Sequence, residues 1–175
     1  MSTKIREMTS EDWPRVAEIY KEGMDSNLST FQTECPLYED WDCAHLKVGR
    51  LVIEADGTVV GWTALSAVSS RCVYAGVAEL IIYLDFDHHG KGLGSQLLSA
   101  LISESEKAGF WTLQSGIMQN NTASIRLHEK CGFRTVGYRE RIGCDRFGVW
   151  RNTVLMERRS AEDKIQKESC SCCQK

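Results

Sequence analysis

Residues 77–84 are an apolar run interrupted by one acid, Glu79. They are followed by Asp87-His88-His89-Gly90-Lys91-Gly92-Leu93-Gly94, and then by Leu97, Leu98, Leu101 and Ile102 at helical spacing. A strand that enters a helix through a glycine-rich turn commits the chain to α/β packing, because both elements must bury their apolar sides. Glycine tolerates the left-handed backbone such a turn needs, and the helix start adds unpaired N–H donors and the positive end of the helix dipole. Together these form a pocket for a phosphate group. The spacing fits neither the nucleoside-triphosphate loop ending in Gly-Lys-Ser/Thr nor the dinucleotide fingerprint, with glycines at its first, third and sixth positions. A glycine-rich turn without a ligand is the competing reading.

The remaining elements give a mixed order. Residues 5–8 read as a short strand, after which Thr9 or Ser10 caps a helix with Trp13, Val16, Ala17, Ile19, Tyr20 and Met24 on one face. A second helix is expected over residues 37–46, after Pro36. Asp56-Gly57 between residues 50–55 and 59–67 predicts a tight hairpin. The glycine turn leads into a helix over 92–108, with Gly109 just past its end. A strand over 111–117 and a short helix from Thr122 to Lys130 follow, stopped by Cys131-Gly132. Strands at 133–138 and 149–158 close the domain, separated by a loop containing Gly143 and Gly148.

The chain has 175 residues, 42% of them hydrophobic, enough for one domain that buries roughly two-thirds of its unfolded surface. Residues 1–160 are read as that domain. Its net charge of -3 leaves no basic footprint for nucleic acid, and no apolar run approaches the ~20 residues of a membrane span. The first residues, Met1-Ser2-Thr3-Lys4-Ile5, form no apolar signal segment, so a cytoplasmic location is expected. In that compartment the eight cysteines are expected to be reduced thiols. Residues 161–175 are expected to be a solvated tail. Its Cys170, Cys172 and Cys173 lack a partner histidine or second cysteine pair at zinc spacing, so no metal site is assigned.

Taken in order, the strand, His89-Gly90-Lys91-Gly92-Leu93-Gly94, the helix, the next strand and Asn121-Thr122-Ala123-Ser124-Ile125-Arg126-Leu127-His128-Glu129-Lys130-Cys131-Gly132-Phe133 resemble the GCN5-related N-acetyltransferase superfamily. Further matches point to its phosphinothricin N-acetyltransferase branch. These are Ser29-Thr30-Phe31-Gln32-Thr33-Glu34, residues 71–74, Glu79 before Ile82-Tyr83-Leu84, and Phe147-Gly148-Val149-Trp150. The resemblance runs from Lys4 to about Arg159. It implies the acyl-CoA N-acyltransferase fold: a single α/β (α+β) domain with a central mixed, mostly antiparallel seven-stranded sheet flanked by helices. It also implies acetyl-CoA as co-substrate, lying between the fourth and fifth strands.

By that resemblance Gly90, Lys91, Gly92, Leu93, Gly94 and Ser95 would cradle the pyrophosphate. Backbone groups of Ile82, Tyr83 and Leu84 would pair with the pantetheine as with an added strand. Asn121 would hold the pantetheine from the other side, although Asn121 or Thr122 would serve equally as a helix N-cap. The family carries Gln or Arg where this chain has His89, which offers fewer donors to a phosphate or backbone group.

Acetyl transfer requires the amine to lose a proton while it attacks and the leaving thiolate to gain one. Glu79, among apolar strand residues, is the candidate base, on the expectation that burial raises its proton affinity. A strand-face acid paired with Arg71 or Arg126 is the alternative. His128, at the helical position where relatives carry a proton-transferring Tyr or His, is the second catalytic candidate, with a reference pKa of about 6.5. Thr30, Phe31, Arg71, Tyr74 and Trp150 are the acceptor-binding candidates; Phe31 and Trp150 read equally as core aromatics. The expected acceptor is a small-molecule amine of the phosphinothricin, methionine sulfoximine or methionine sulfone type. A protein N-terminus or other amine, and a catalytically silent acetyl-CoA-binding module, are the alternatives. Relatives suggest a homodimer.

Overall fold

Asp56 and Gly57 take φ of 49° and 84°. Both are left-handed, as a type I′ hairpin turn requires, and they join β2 (Leu51–Ala55) to β3 (Thr58–Ala67) as expected. The computed structural model describes residues 2–161. Ahead of this hairpin lie β1 (Thr3–Glu7), α1 (Trp13–Asp25) and α2 (Tyr38–Ala44). After it come β4 (Val77–Leu84), α3 (Leu93–Lys107), β5 (Thr112–Met118), α4 (Thr122–Lys130), β6 (Arg134–Cys144) and β7 (Trp150–Arg159). The strands form one seven-stranded sheet in the order β1-β2-β3-β4-β5-β7-β6. Every pairing is antiparallel except β4 with β5. That one parallel pair is bridged by α3, the crossover that parallel neighbours need.

Alternation along the central strands builds a core on each face of the sheet. Val52, Trp62, Ala64 and Tyr83 pack with Val16, Ile19 and Tyr20 of α1 and Trp41 of α2. Ile53, Leu65 and Leu80 pack with Leu97, Leu98 and Leu101 of α3 on the opposite face. Each such leucine contributes about 1.5–3 kcal/mol by leaving water. The spacing of apolar residues in α1 and α3 thus assigns each helix to a face.

β1 begins two residues before the expected 5–8 and ends at Glu7, and three further boundaries differ for identifiable reasons. Thr9 does cap, but it caps a 3-10 turn (Ser10–Asp12) through a reciprocal box with Asp12, and α1 begins only at Trp13. The second helix is shorter than 37–46, because Leu37 stays extended as its cap and the backbone returns to extended at His45. The largest correction is β6, which does not end at Tyr138 but continues to Cys144, with Gly143 opposite Arg151 and Cys144 opposite Trp150. Between Arg139 and Gly143 the register slips, and Arg141 takes a φ of 49°. Pairing with β7 on both sides of this bulge carries the strand through it, so Gly143 lies in the strand and only Gly148 in the turn.

Cys35, Cys43, Cys131 and Cys144 are free thiols. The Cys170, Cys172 and Cys173 cluster lies outside the described residues. Among the described residues no helix is long and apolar enough to cross a membrane.

Candidate active site

β4 and β5 pair only at Val77 with Thr112, Ala78 with Leu113 and Glu79 with Gln114. Beyond that point β4 stays on β3 as far as Leu84, while β5 stays on β7 as far as Met118. The two strands part, leaving an unpaired β4 edge over residues 80–84. A cavity of about 470 Å³ fills the notch. Its walls include Ile82 and Leu84 of β4, Ser115 and Gly116 of β5, the start of α3 and one face of α4. Tyr83 contributes to the notch as well, but its ring is buried in the opposite core, stacked on Trp62 with centroids 4.9 Å apart.

The glycine turn closes one end. Gly90 and Gly92 have φ of 73° and 80°, and a Cβ at either would touch nothing within 4 Å, so the backbone conformation and not lack of space calls for glycine there. Gly92 is the N-cap of α3 and supplies no side-chain hydrogen bond. The first N–H groups of α3, at Leu93, Gly94 and Ser95, therefore have no capping side chain, the arrangement that receives an anion. Gly90, Gly92, Gly94 and Ser95 line the cavity. The Leu93 side chain instead enters the core, and Lys91 is exposed beside the cavity wall without lining it. His89 lines the cavity and its Nε2 lies 3.0 Å from the Leu84 carbonyl, so its imidazole makes the backbone contact at the end of β4.

Just before the turn, Asp85 is fixed by Arg15, by His88 at 3.2 Å and by the Asp87 N–H at 2.8 Å. Burial opposes its ionisation, but those hydrogen bonds and charges prevail and hold its carboxyl below the usual range. The turn is thus anchored from α1 independently of the cavity.

Asn121 caps α4: its Oδ1 accepts the Ser124 N–H at 3.1 Å, and its Nδ2 donates to the Leu28 carbonyl at 3.1 Å. The capping alternative is therefore realised, and the same residue holds the loop that leaves α1 while lining the cavity. His128 is 1% exposed and faces the cavity one turn along α4 from Ser124. Its Nδ1 lies 2.8 Å from the Ser124 carbonyl, so Nδ1 carries the hydrogen and Nε2 keeps a lone pair. Nε2 is buried and has no hydrogen-bond partner. Burial pushes the imidazole below its ordinary pKa, and the Ser124 contact offsets this only in part.

Glu79 also lines the cavity, but its side chain is exposed, which corrects the expectation of a buried carboxylate. Glu79 is the last β4 residue paired to β5, opposite Gln114, and its side chain stands at the mouth of the notch that opens beyond that pair. One carboxylate oxygen would lie 3.8 Å from a Cβ at Gly116, so Glu79 leans across the notch towards β5. No ion pair joins it to Arg71 or Arg126.

The acceptor candidates are more dispersed. None of Thr30, Phe31, Arg71, Tyr74 or Trp150 lines this cavity; from their neighbourhood only Leu28 and Ser29 do. Arg71 sits 5.6 Å over the Tyr74 ring, and Tyr74 and Trp150 are exposed, so Trp150 is not a core aromatic. Two cations went unassigned in the sequence: Arg126 and Lys130, which line the cavity one turn apart on α4 and form no ion pair among the described residues. Their spacing of four with an inward Leu127 between them was the available signal.

An unpaired strand edge, an uncapped helix start and unpaired cations on one wall fit the peptide-like arm and phosphates of acetyl-CoA. Comparison with known proteins agrees. Residues 5–133 match the family described as Acetyltransferase (GNAT) family. The chain is 30% identical over 164 residues to an L-methionine sulfoximine/L-methionine sulfone acetyltransferase from Pseudomonas paraeruginosa, covering 90% of this chain and 94% of that protein. It is 30% identical over 160 residues to a phosphinothricin N-acetyltransferase from Alcaligenes faecalis, covering 88% and 81%. Among solved structures, an acetyltransferase from Salmonella typhimurium with its cofactor acetyl-CoA superposes with a TM-score of 0.81 at 28% identity, covering 94% of this chain and 99% of that one. Fold and site define an acetyl-CoA-dependent N-acyltransferase. The chain belongs to the GNAT acetyltransferase family, in which its relatives include phosphinothricin and methionine sulfoximine acetyltransferases.

Proposed function

We propose that this enzyme moves the acetyl group directly, within a ternary complex, to the amine of a small amino-acid analogue of the phosphinothricin, methionine sulfoximine or methionine sulfone type. The observation that carries the proposal is the buried, unpartnered Nε2 of His128, which shares one cavity with Glu79, the β4 edge and the glycine turn. The names of the Pseudomonas and Alcaligenes relatives support the acceptor class. Residues 1–160 constitute the proposed catalytic domain.

Bound acetyl-CoA supplies the thioester carbonyl that the amine attacks. Glu79, exposed to the cavity, takes the first proton from the ammonium, directly or through water, and so frees the nitrogen lone pair. As the N–C bond forms and the C–S bond breaks, the nitrogen sheds a second proton and the sulfur needs one. His128 Nε2 accepts that proton and returns it to the sulfur. Its Nδ1–H stays on Ser124 throughout, which keeps the lone pair aimed. The backbone of Ile82, Tyr83 and Leu84, the turn from His89 to Ser95, and Asn121 remain the proposed cofactor contacts, joined by Arg126 and Lys130. Thr30 and Phe31, adjoining Ser29, are retained on the acceptor side.

A cytoplasmic homodimer accompanies this reading. Free thiols suit a reducing compartment. The edge strand β6 carries exposed Val136, Tyr138 and Ile142, a surface that a second copy would cover. Light scattering at a mass of one chain would remove the dimer. For the reaction, thiol release from acetyl-CoA is measured against amino-acid analogues and short peptides. Turnover with the analogues is expected; turnover with peptides alone, or none despite cofactor binding, overturns the assignment.

A further inference from the structure

Asp145 lies at the start of the β6–β7 turn, and its side chain has no exposed surface. Its Oδ1 accepts the N–H groups of Phe147 at 2.9 Å and Val149 at 3.0 Å, and its Oδ2 accepts Arg151 Nε at 2.7 Å. Those three bonds suffice to shape the turn. A fourth does not belong to it: Asn27 Nδ2 donates to Oδ2 at 3.0 Å across 118 residues of sequence. Asn27 makes the largest contribution to holding the Asp145 carboxyl far below the usual range.

Asn27 opens the strap that leaves α1, and its φ of 54° is the left-handed conformation that asparagine tolerates. The next residue, Leu28, is held on both sides: its N–H donates to Ser26 Oγ at 3.1 Å and its carbonyl accepts Asn121 Nδ2 at 3.1 Å. Leu28 and Ser29 then form part of the cavity wall. Two residues on, the Phe31 ring lies flat against Gly143 of β6, where a Cβ would come within 2.9 Å of it. The β6–β7 hairpin therefore grips the strap at both ends of residues 27–31, once through Asp145 and once through Gly143. Only the segment between the grips reaches the cavity.

We propose that the Asn27–Asp145 hydrogen bond is a latch that sets the acceptor wall, making Asp145 and Asn27 positioning residues for the amine substrate. The proposal rests on the acetyl-transfer reading above. Neither residue touches the reacting atoms. They act by holding Leu28 and Ser29 at one distance from Glu79, and misplacement of a reacting group by about 1 Å can cost on the order of 10²-fold in rate.

The decisive variant is Asn27→Gly. Glycine adopts the same left-handed backbone without strain, so the substitution removes the amide, and Asn27→Ser, which keeps a Cβ, controls for the backbone freedom that glycine adds. The KM for the amine is expected to rise about tenfold, while the calorimetric Kd for acetyl-CoA stays within about twofold, because Asn121, the one proposed cofactor contact bonded to the strap, is held independently by its cap on Ser124. Hydrogen exchange should accelerate at residues 27–31 and remain unchanged in β4 and α3. Asn27→Ser, whose shorter hydroxyl can still donate, should restore part of the effect. An unchanged amine KM with unchanged exchange at 27–31 overturns the latch. A rise in the acetyl-CoA Kd equal to the rise in the amine KM also overturns it, since the strap would then be general scaffolding. If the wild-type enzyme turns over no amine in the panel, the acceptor reading falls, and the exchange rates still decide whether the bond holds the strap.

Discussion

Along the proposed cofactor side of the cavity most of the groups on offer belong to the backbone: the unpaired edge of β4 over residues 80–84 and the open N–H groups at the start of α3. Along the proposed acceptor side they belong to side chains and to a strap held by partners 93 and 118 residues away in sequence. The two helix starts show the contrast in miniature. α3 begins at a glycine that caps nothing, and α4 begins at Asn121, which both caps the helix and holds the strap. A backbone-built wall tolerates most side-chain changes and fails when φ is disturbed. A side-chain-built wall fails one contact at a time.

The largest expected effect lies where the two walls meet. Glu79→Gln and His128→Ala should each lower kcat by about 10²-fold or more, with calorimetric acetyl-CoA binding unchanged. Near-full turnover in both would break the assignment. Because burial lowers the proton affinity of His128 below its ordinary value of 6.5, its Nε2 remains an acceptor to lower pH than a free imidazole. The same shift has a signed effect on stability. The unfolded chain takes up a proton near pH 6.5 that the folded chain refuses until lower pH, so stability falls as pH drops through that window. His128→Ala should lessen this acid-side loss in thermal unfolding.

Next in size is Gly92→Ala, which tests whether the cofactor wall depends on conformation. A left-handed alanine costs roughly 1–2 kcal/mol, expected as about a tenfold weaker Kd for acetyl-CoA or an equivalent loss of stability. Unaltered values of both would show that the turn's φ is not what binds. Smaller still is the loss from Arg126→Ala or Lys130→Ala. Exposed charges of this kind contribute up to about 1 kcal/mol, so acetyl-CoA affinity should fall up to about fivefold and lose part of its salt dependence. A smaller effect on the 3′-dephospho form would assign these cations to the 3′-phosphate, and an equal effect on both forms to the pyrophosphate. The smallest effect is that of His89→Arg, for which the Michaelis constant for acetyl-CoA should not change measurably, since the imidazole already meets the Leu84 carbonyl.

Legibility in the sequence follows the same division. The Asp56-Gly57 hairpin, the glycine turn and the amphipathic stripes of α1 and α3 depend on residues a few positions apart, and each appears where its spacing puts it. β6 was read too short because Gly143 alone signals a loop, whereas the ladder to β7 carries the strand past it. The apolar neighbours of Glu79 predict burial, and nothing local says that β5 departs just beyond Gln114. None of the acceptor candidates meets the cavity; Leu28 and Ser29 do, on a strap bonded to Asn121 and Asp145, and no local pattern marks them.

The sequence by itself therefore determined the elements, their order and the glycine turn before α3, because hydrogen-bonding capacity and φ are properties of a few consecutive residues. Only the tertiary structure decided where the two central strands part, which proton His128 carries, that Glu79 stands exposed, and how a hairpin near the end of the domain holds a strap near its beginning. Those outcomes depend on pairings between residues far apart in the chain, and local spacing carries no record of them.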